Sequence, residues 1–201
     1  ELTTISLYLE FLNRSLKDSI DKNVLDNTLK VRIVIEIVHA LNFIHKLGLI
    51  HRDIKIENIM LNSAFEAKIV DFKLVRIDEC FNGQNFVTTS MTKGIGTMSY
   101  MSPEMINEED YDSKTDVYSF GIVLHYLFTG KLPSINMKDK MNGKQIPLPN
   151  PSSSISQFGI DLISKCTDIK PSKRPSFEDI LNEIRDKSYS LAPEIEKSII
   201  S

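Results

Sequence analysis

Cysteine is scarce, with only Cys80 and Cys166 among 201 residues. Two thiols supply neither a disulfide framework nor a zinc cluster. They read as reduced cysteines of an intracellular, cytoplasmic protein. An excess of one charge is missing too: 24 Lys and Arg stand against 27 Asp and Glu, a formal net charge of −3. So even a balance gives no footprint for nucleic acid or for an acidic membrane surface as partner. No apolar run approaches the length that spans a bilayer. The N-terminus lacks the charged-then-apolar pattern of a signal peptide. The chain opens on Glu1 inside what reads as structure, so a processed or truncated chain is expected. What is present is ordinary: 41% apolar and 25% charged residues, enough for one domain with a hydrophobic core.

Local patterns predict a mainly helical α+β fold. Ser6–Phe11 is rich in strand formers and reads as a short strand. Ser15-Leu16-Lys17-Asp18 has the form of a capping box, with a short helix to follow. Leu29, Ile33, Ile37, Leu41 and Ile44, widened by Val34 and Val38, form the clearest helical stripe, and Gly48 stands where a helix ends. Leu49-Ile50, Ile59-Met60-Leu61 and Ala67–Val70 read as small strands. Lys73 to Ser102 is polar without helical period, and a loop of that length is usually functional. Val117–Phe128 is apolar nearly all round and reads as a buried central helix, stopped by Gly130 and Pro133. Pro147–Ser156 reads as a surface connection. Phe158–Cys166 and Phe177–Ile184 read as amphipathic helices. No internal repeat is visible.

The chemistry gathers in His51-Arg52-Asp53-Ile54-Lys55-Ile56-Glu57-Asn58. The bland reading is a polar turn between strands. Yet four fixed residues of this kind meet by chance at about one position in 10⁵, and other short motifs follow in order. These are Asp71-Phe72, then Gly96-Thr97, Tyr100 and Pro103-Glu104, then Asp116-Val117-Tyr118-Ser119-Phe120-Gly121, then Arg174-Pro175. Singly each is weak; in this order they resemble the larger, C-terminal lobe of a eukaryotic protein kinase over nearly the whole chain. Lys55 after Ile54 and Thr97 after Gly96 resemble the serine/threonine type. The Asp116–Gly121 and Lys173–Phe177 phrases look most like the tyrosine-kinase-like group.

The resemblance implies ATP, Mg²⁺ and a protein substrate. By it, Asp53 and Lys55 are catalytic, orienting the substrate hydroxyl and stabilising the transferring phosphate. Asn58 and Asp71 are the metal ligands. Leu9, Glu10, Leu12 and Met60 line the nucleotide, although plain packing would explain Leu9 and Met60 equally well. Thr97 seats the substrate. Glu104, Asp116 and Arg174 are structural supports, with Glu104 and Arg174 as a buried ion pair. Arg52 with Thr88, Thr89, Ser90 and Thr92 forms a candidate regulatory set, in which a phosphate on the loop meets Arg52; an ordinary polar loop is the equal alternative. The implied organisation is 1–14 as the end of the small lobe and hinge, 15–187 as the C-terminal lobe and 188–201 as a tail.

Two departures stand out. The residues before the hinge contain no glycine-rich loop, no strand lysine for the phosphates and no helix glutamate to pair with it. And Lys73 follows Asp71-Phe72 where the family has glycine, which is expected to narrow the backbone there. Two classes therefore stay open: a catalytic serine/threonine kinase of which this is a fragment, and a pseudokinase or kinase remnant acting as an interaction module.

Overall fold

The computed structural model describes residues 10–12, 14–78, 98–185, 187 and 190–193. Its order is set first by caps and stripes. Ser15 ends strand β1 (Arg14–Ser15) and caps helix α1 (Leu16–Asp21), its hydroxyl accepting the Asp18 N–H at 3.0 Å. Asp26 does the same for α2 (Asn27–Lys46) by accepting the Leu29 N–H at 2.8 Å. Of the expected stripe of α2, Ile33, Val34, Ile37, Val38, Leu41 and Ile44 are buried and Leu29 is half-buried; Val31 is buried with them. Gly48 takes φ 68° just beyond the helix, an angle that costs glycine nothing.

Strands β2 (Leu49–Ile50), β3 (Ile59–Leu61) and β4 (Ala67–Ile69) follow as the apolar runs predict. A further strand, β5 (Arg76–Ile77), lies inside the stretch read as loop. Two residues are too few to show alternation, so this strand exists through its partner: Leu49 pairs with Ile77 and Ile50 with Arg76. The other sheet has the antiparallel order β1-β3-β4. Of the strand expected at Ser6–Phe11, Glu10 and Phe11 are described and are irregular; the rest lies outside the described residues.

The second half is helical: α3 (Pro103–Ile106), α4 (Lys114–Thr129), α5 (Met137–Met141), α6 (Gln157–Cys166) and α7 (Phe177–Arg185). Every residue of α4 from Thr115 to Phe128 is buried, as its all-round apolar pattern predicts. Gly130 closes α4 at φ 72°. Helix α6 packs on α4, and α7 packs on α2. Gly121 makes the first contact possible, because a Cβ there would stand 2.5 Å from Thr167 Cγ2 and 2.9 Å from Cys166 Cβ. Leu191 and Ala192, in the segment assigned to a tail, are buried against this core, and Ser156 donates to the Leu191 carbonyl. Short α3 and α5 escaped the sequence reading because neither is long enough to show a period. Among the described residues no helix is long and apolar enough to cross a membrane.

Candidate active site

Two hairpins deliver the polar residues to one place. Strand β2 runs into residues 51–55, a 3-10 turn over Ile56–Asn58 and then β3. Strand β4 returns antiparallel to β3, with Ile69 opposite Ile59. Asn58 and Asp71 therefore emerge at the same end of the β3–β4 pair. The Val70 N–H donates to the Asn58 carbonyl at 3.0 Å and closes that end.

Asp53 is buried at the centre. Its Oδ2 accepts from Lys55 Nζ at 2.7 Å and from Asn58 Nδ2 at 2.9 Å; Asn58 Nδ2 also donates to the Asp53 carbonyl at 2.9 Å. The other carboxylate oxygen, Oδ1, is buried with no hydrogen-bond partner among the described residues. One oxygen is thus clamped and the other unused. Since Asn58 directs its amide nitrogen at Asp53, the group left to meet a cation is its carbonyl oxygen.

Asp116, in the first turn of α4, holds this loop from beneath. Its Oδ2 accepts the His51 N–H and its Oδ1 accepts the Arg52 N–H, both at 2.8 Å. His45 on α2 reaches the same Oδ2 at 2.9 Å and lies edge-on to Phe177 of α7. His45 was missed in the sequence, where it reads as one more polar position at the end of α2. The His51 ring is fully buried, edge-on to Phe72, and burial pushes its pKa below the ordinary 6.5.

Arg52 (φ 66°) and Asp71 (φ 65°) both adopt the left-handed region. A non-glycine residue there costs about 1–2 kcal/mol, and such strain gathers where position matters more than stability. Lys73 lies two residues beyond Asp71. The residue falls within a 3-10 turn, Phe72–Leu74, and the left-handed angle sits on Asp71. What Lys73 brings is charge: its Nζ lies 3.3 Å from Asp71 Oδ1, with the lysine side chain 86% exposed. Arg52 donates through Nε to the Leu74 carbonyl and through Nη1 to the Tyr111 hydroxyl at 3.0 Å. Thr88, Thr89, Ser90 and Thr92 lie outside the described residues, as do Leu9, Thr97 and Cys80.

Met60 is half-buried in β3, Leu12 half-buried and Glu10 exposed, both of the latter in irregular chain. Further off, Arg174 and Glu104 meet in a buried bidentate pair, Nη1 to Oε1 at 2.5 Å and Nη2 to Oε2 at 2.9 Å. Among the described residues no three His, Cys, Asp or Glu side chains gather as a metal cage. A hard amide oxygen at Asn58 and the Asp71 carboxylate are a donor set that suits magnesium, which is held by one or two protein oxygens together with substrate phosphates. The site thus offers an oriented carboxylate, an adjacent ammonium and two hard ligands.

The family model described as a protein kinase domain matches residues 1–184. The chain belongs to this family. Curated relatives of this kinase domain include two probable serine/threonine-protein kinases of Dictyostelium discoideum. One is 38% identical over 77% of this chain, the other 34% identical over 90% of it. A serine/threonine/tyrosine-protein kinase of Arabidopsis thaliana is 36% identical over 75% of it. The matched part of the kinase domain spans 17% of the length of each Dictyostelium protein and 38% of the Arabidopsis one.

Proposed function

We propose that this kinase domain serves ATP-dependent transfer of a phosphoryl group to serine or threonine hydroxyls of a protein. The observation that carries the reading is Asp53, whose Oδ2 is fixed by Lys55 and Asn58 while its buried Oδ1 has no partner among the described residues. The substrate hydroxyl gives its proton to that Oδ1 as its oxygen bonds to the γ-phosphorus, and the bond from that phosphorus to the β–γ bridging oxygen breaks to release ADP. Lys55 spreads its charge over the transferring phosphate. Asn58 and Asp71 would hold magnesium, which supplies charge neutralisation to the triphosphate when bound.

In the same reading Leu9, Glu10, Leu12 and Met60 face the adenine, and Thr97 seats the substrate. Residues 1–14 are then the end of the small lobe and hinge, 15–187 the C-terminal lobe and 188–201 a tail. Arg52 meets a phosphate on the loop at Thr88, Thr89, Ser90 or Thr92 when one is present. The reaction belongs inside the cell, where its nucleotide is; buried, free Cys166 agrees with that setting. Lys73 beside Asp71 is the observation on the side of an inactive interaction module. An interaction surface, however, has no use for Asp53, Lys55, Asn58 and Asp71 in one place.

Phosphoamino-acid analysis of protein labelled by the full-length protein with γ-labelled ATP tests the substrate class. Label on serine and threonine is expected; label on tyrosine alone, or no label, overturns the reading.

A further inference from the structure

Lys140 on α5 is 2% exposed, a rare position for an ammonium. Nothing in the sequence marks it, since it lies in a polar run between Met137 and Gly143. Its Nζ donates to the Ser99 carbonyl at 2.8 Å and to the Met98 carbonyl at 3.4 Å. The same Nζ stands 5.0 Å from the centre of the Tyr118 ring, and the guanidinium of Arg174 stands 5.0 Å from that ring as well. Burial pulls the lysine pKa down to about 7, against the opposing attraction of Glu104.

Stability alone does not call for a lysine here. The neighbouring apolar cluster is Met101, Met105 and Ile106, with Met98, Tyr111 and Met137 packed on it. A methionine at 140 would fit that company with no charge to desolvate. The lysine instead spends its donors on two backbone carbonyls, one and two residues after Thr97. Helix α5 is capped by Asn136 and packs on α3, with Met137 seated on the cluster of Met101, Met105 and Ile106. It thus grips the chain just beyond the residue read as the substrate seat.

We propose that Lys140 is a positioning residue that holds the peptide-seating segment at Met98 and Ser99, and so sets peptide affinity without touching the nucleotide. This rests on the kinase reading above. The test uses the full-length protein as wild type, Lys140→Met and Lys140→Arg, with a Ser/Thr-centred peptide library as probe, and compares KM for peptide, KM for ATP and the melting temperature. Lys140→Met is expected to raise peptide KM about tenfold, the scale of one charge-assisted hydrogen bond. ATP KM should stay unchanged, and Lys140→Arg should recover most of the loss. Unchanged peptide KM in Lys140→Met, or equal changes in both KM values, overturns the proposal while leaving the kinase reading intact. A wild type that transfers no phosphate overturns both. If Lys140→Met does not fold, Lys140→Gln decides: a raised peptide KM with ATP KM unchanged supports the clamp, and an unchanged peptide KM contradicts it. A rise in its ATP KM that matches its peptide KM contradicts it.

Discussion

Truncating Arg174 to alanine removes one side of a buried bidentate ion pair. Arg174 and Glu104 expose 0% and 5% of their side chains, so water cannot repair the loss. The arginine also donates to the carbonyls of Asp168 at 2.7 Å, Lys114 at 3.1 Å and Ile169 at 3.2 Å. The variant would leave a buried carboxylate uncompensated and three carbonyls short of a donor. Breaking a buried pair on one side costs about 3–5 kcal/mol. At about 2–4 °C per kcal/mol for a domain of this size, the melting temperature should fall by roughly 6–20 °C. Arg185→Ala, on the exposed end of α7, is the control and should stay within about 0.5 kcal/mol. The double variant Glu104→Leu/Arg174→Met removes both charges and should recover part of the loss. Calorimetry of the three variants against wild type decides. Equal melting of Arg174→Ala and Arg185→Ala would refute the reasoning.

Gly121→Ala should destabilise by about 1–3 kcal/mol in a denaturant titration, because its Cβ would overlap Thr167 and Cys166 where α6 meets α4. Lys73→Gly removes the ammonium beside Asp71; the apparent magnesium constant of the full-length protein should tighten by no more than about fivefold, the scale of an exposed ion pair, and a weakened constant would show that the pair does not compete. The fourth prediction concerns pH. Lys140 binds its proton with a pKa of about 7 when folded and 10.5 ordinarily. Below pH 7 both states are protonated and the burial penalty is fully felt; above it the unfolded chain holds a proton that the folded one lacks, so stability rises with pH. The groups facing Lys140 are Glu104, Tyr118 and the Met98 and Ser99 carbonyls. Burial raises the Tyr118 pKa above its ordinary 10.0, and it pushes His51 and His125 below 6.5. The clean window is therefore about pH 7 to 8.5, where wild type should gain stability relative to Lys140→Met and parallel curves would contradict the assignment.

The longer helices were legible, because α2, α6 and α7 leave an amphipathic stripe and α4 an all-round apolar run, and all four lie where those patterns put them. Strands β2, β3 and β4 were legible as apolar runs between polar turns. The two-residue β5 and the short α3 and α5 were not, since their order comes from partners distant in sequence. The site was legible as residue types, Asp53, Lys55, Asn58 and Asp71, because its motif is local. Its wiring was not. That Asn58 spends its amide nitrogen on Asp53, that His45 shares Asp116 with the loop, and that Asp71 rather than Lys73 takes the left-handed angle all depend on how β2, β3, β4 and α4 converge. Lys140 was invisible because its partners are backbone carbonyls, which every sequence possesses.

The central claim is that Asp53 is the proton acceptor of a phosphotransfer site. The measurement that tests it most directly is the turnover number of full-length wild type and Asp53→Asn with saturating ATP, magnesium and protein substrate, both shown by melting to be folded. The account predicts turnover in wild type and a loss of about 10²–10⁴-fold in the variant, the range for removing a positioned general base. Equal turnover in the two proteins would contradict it.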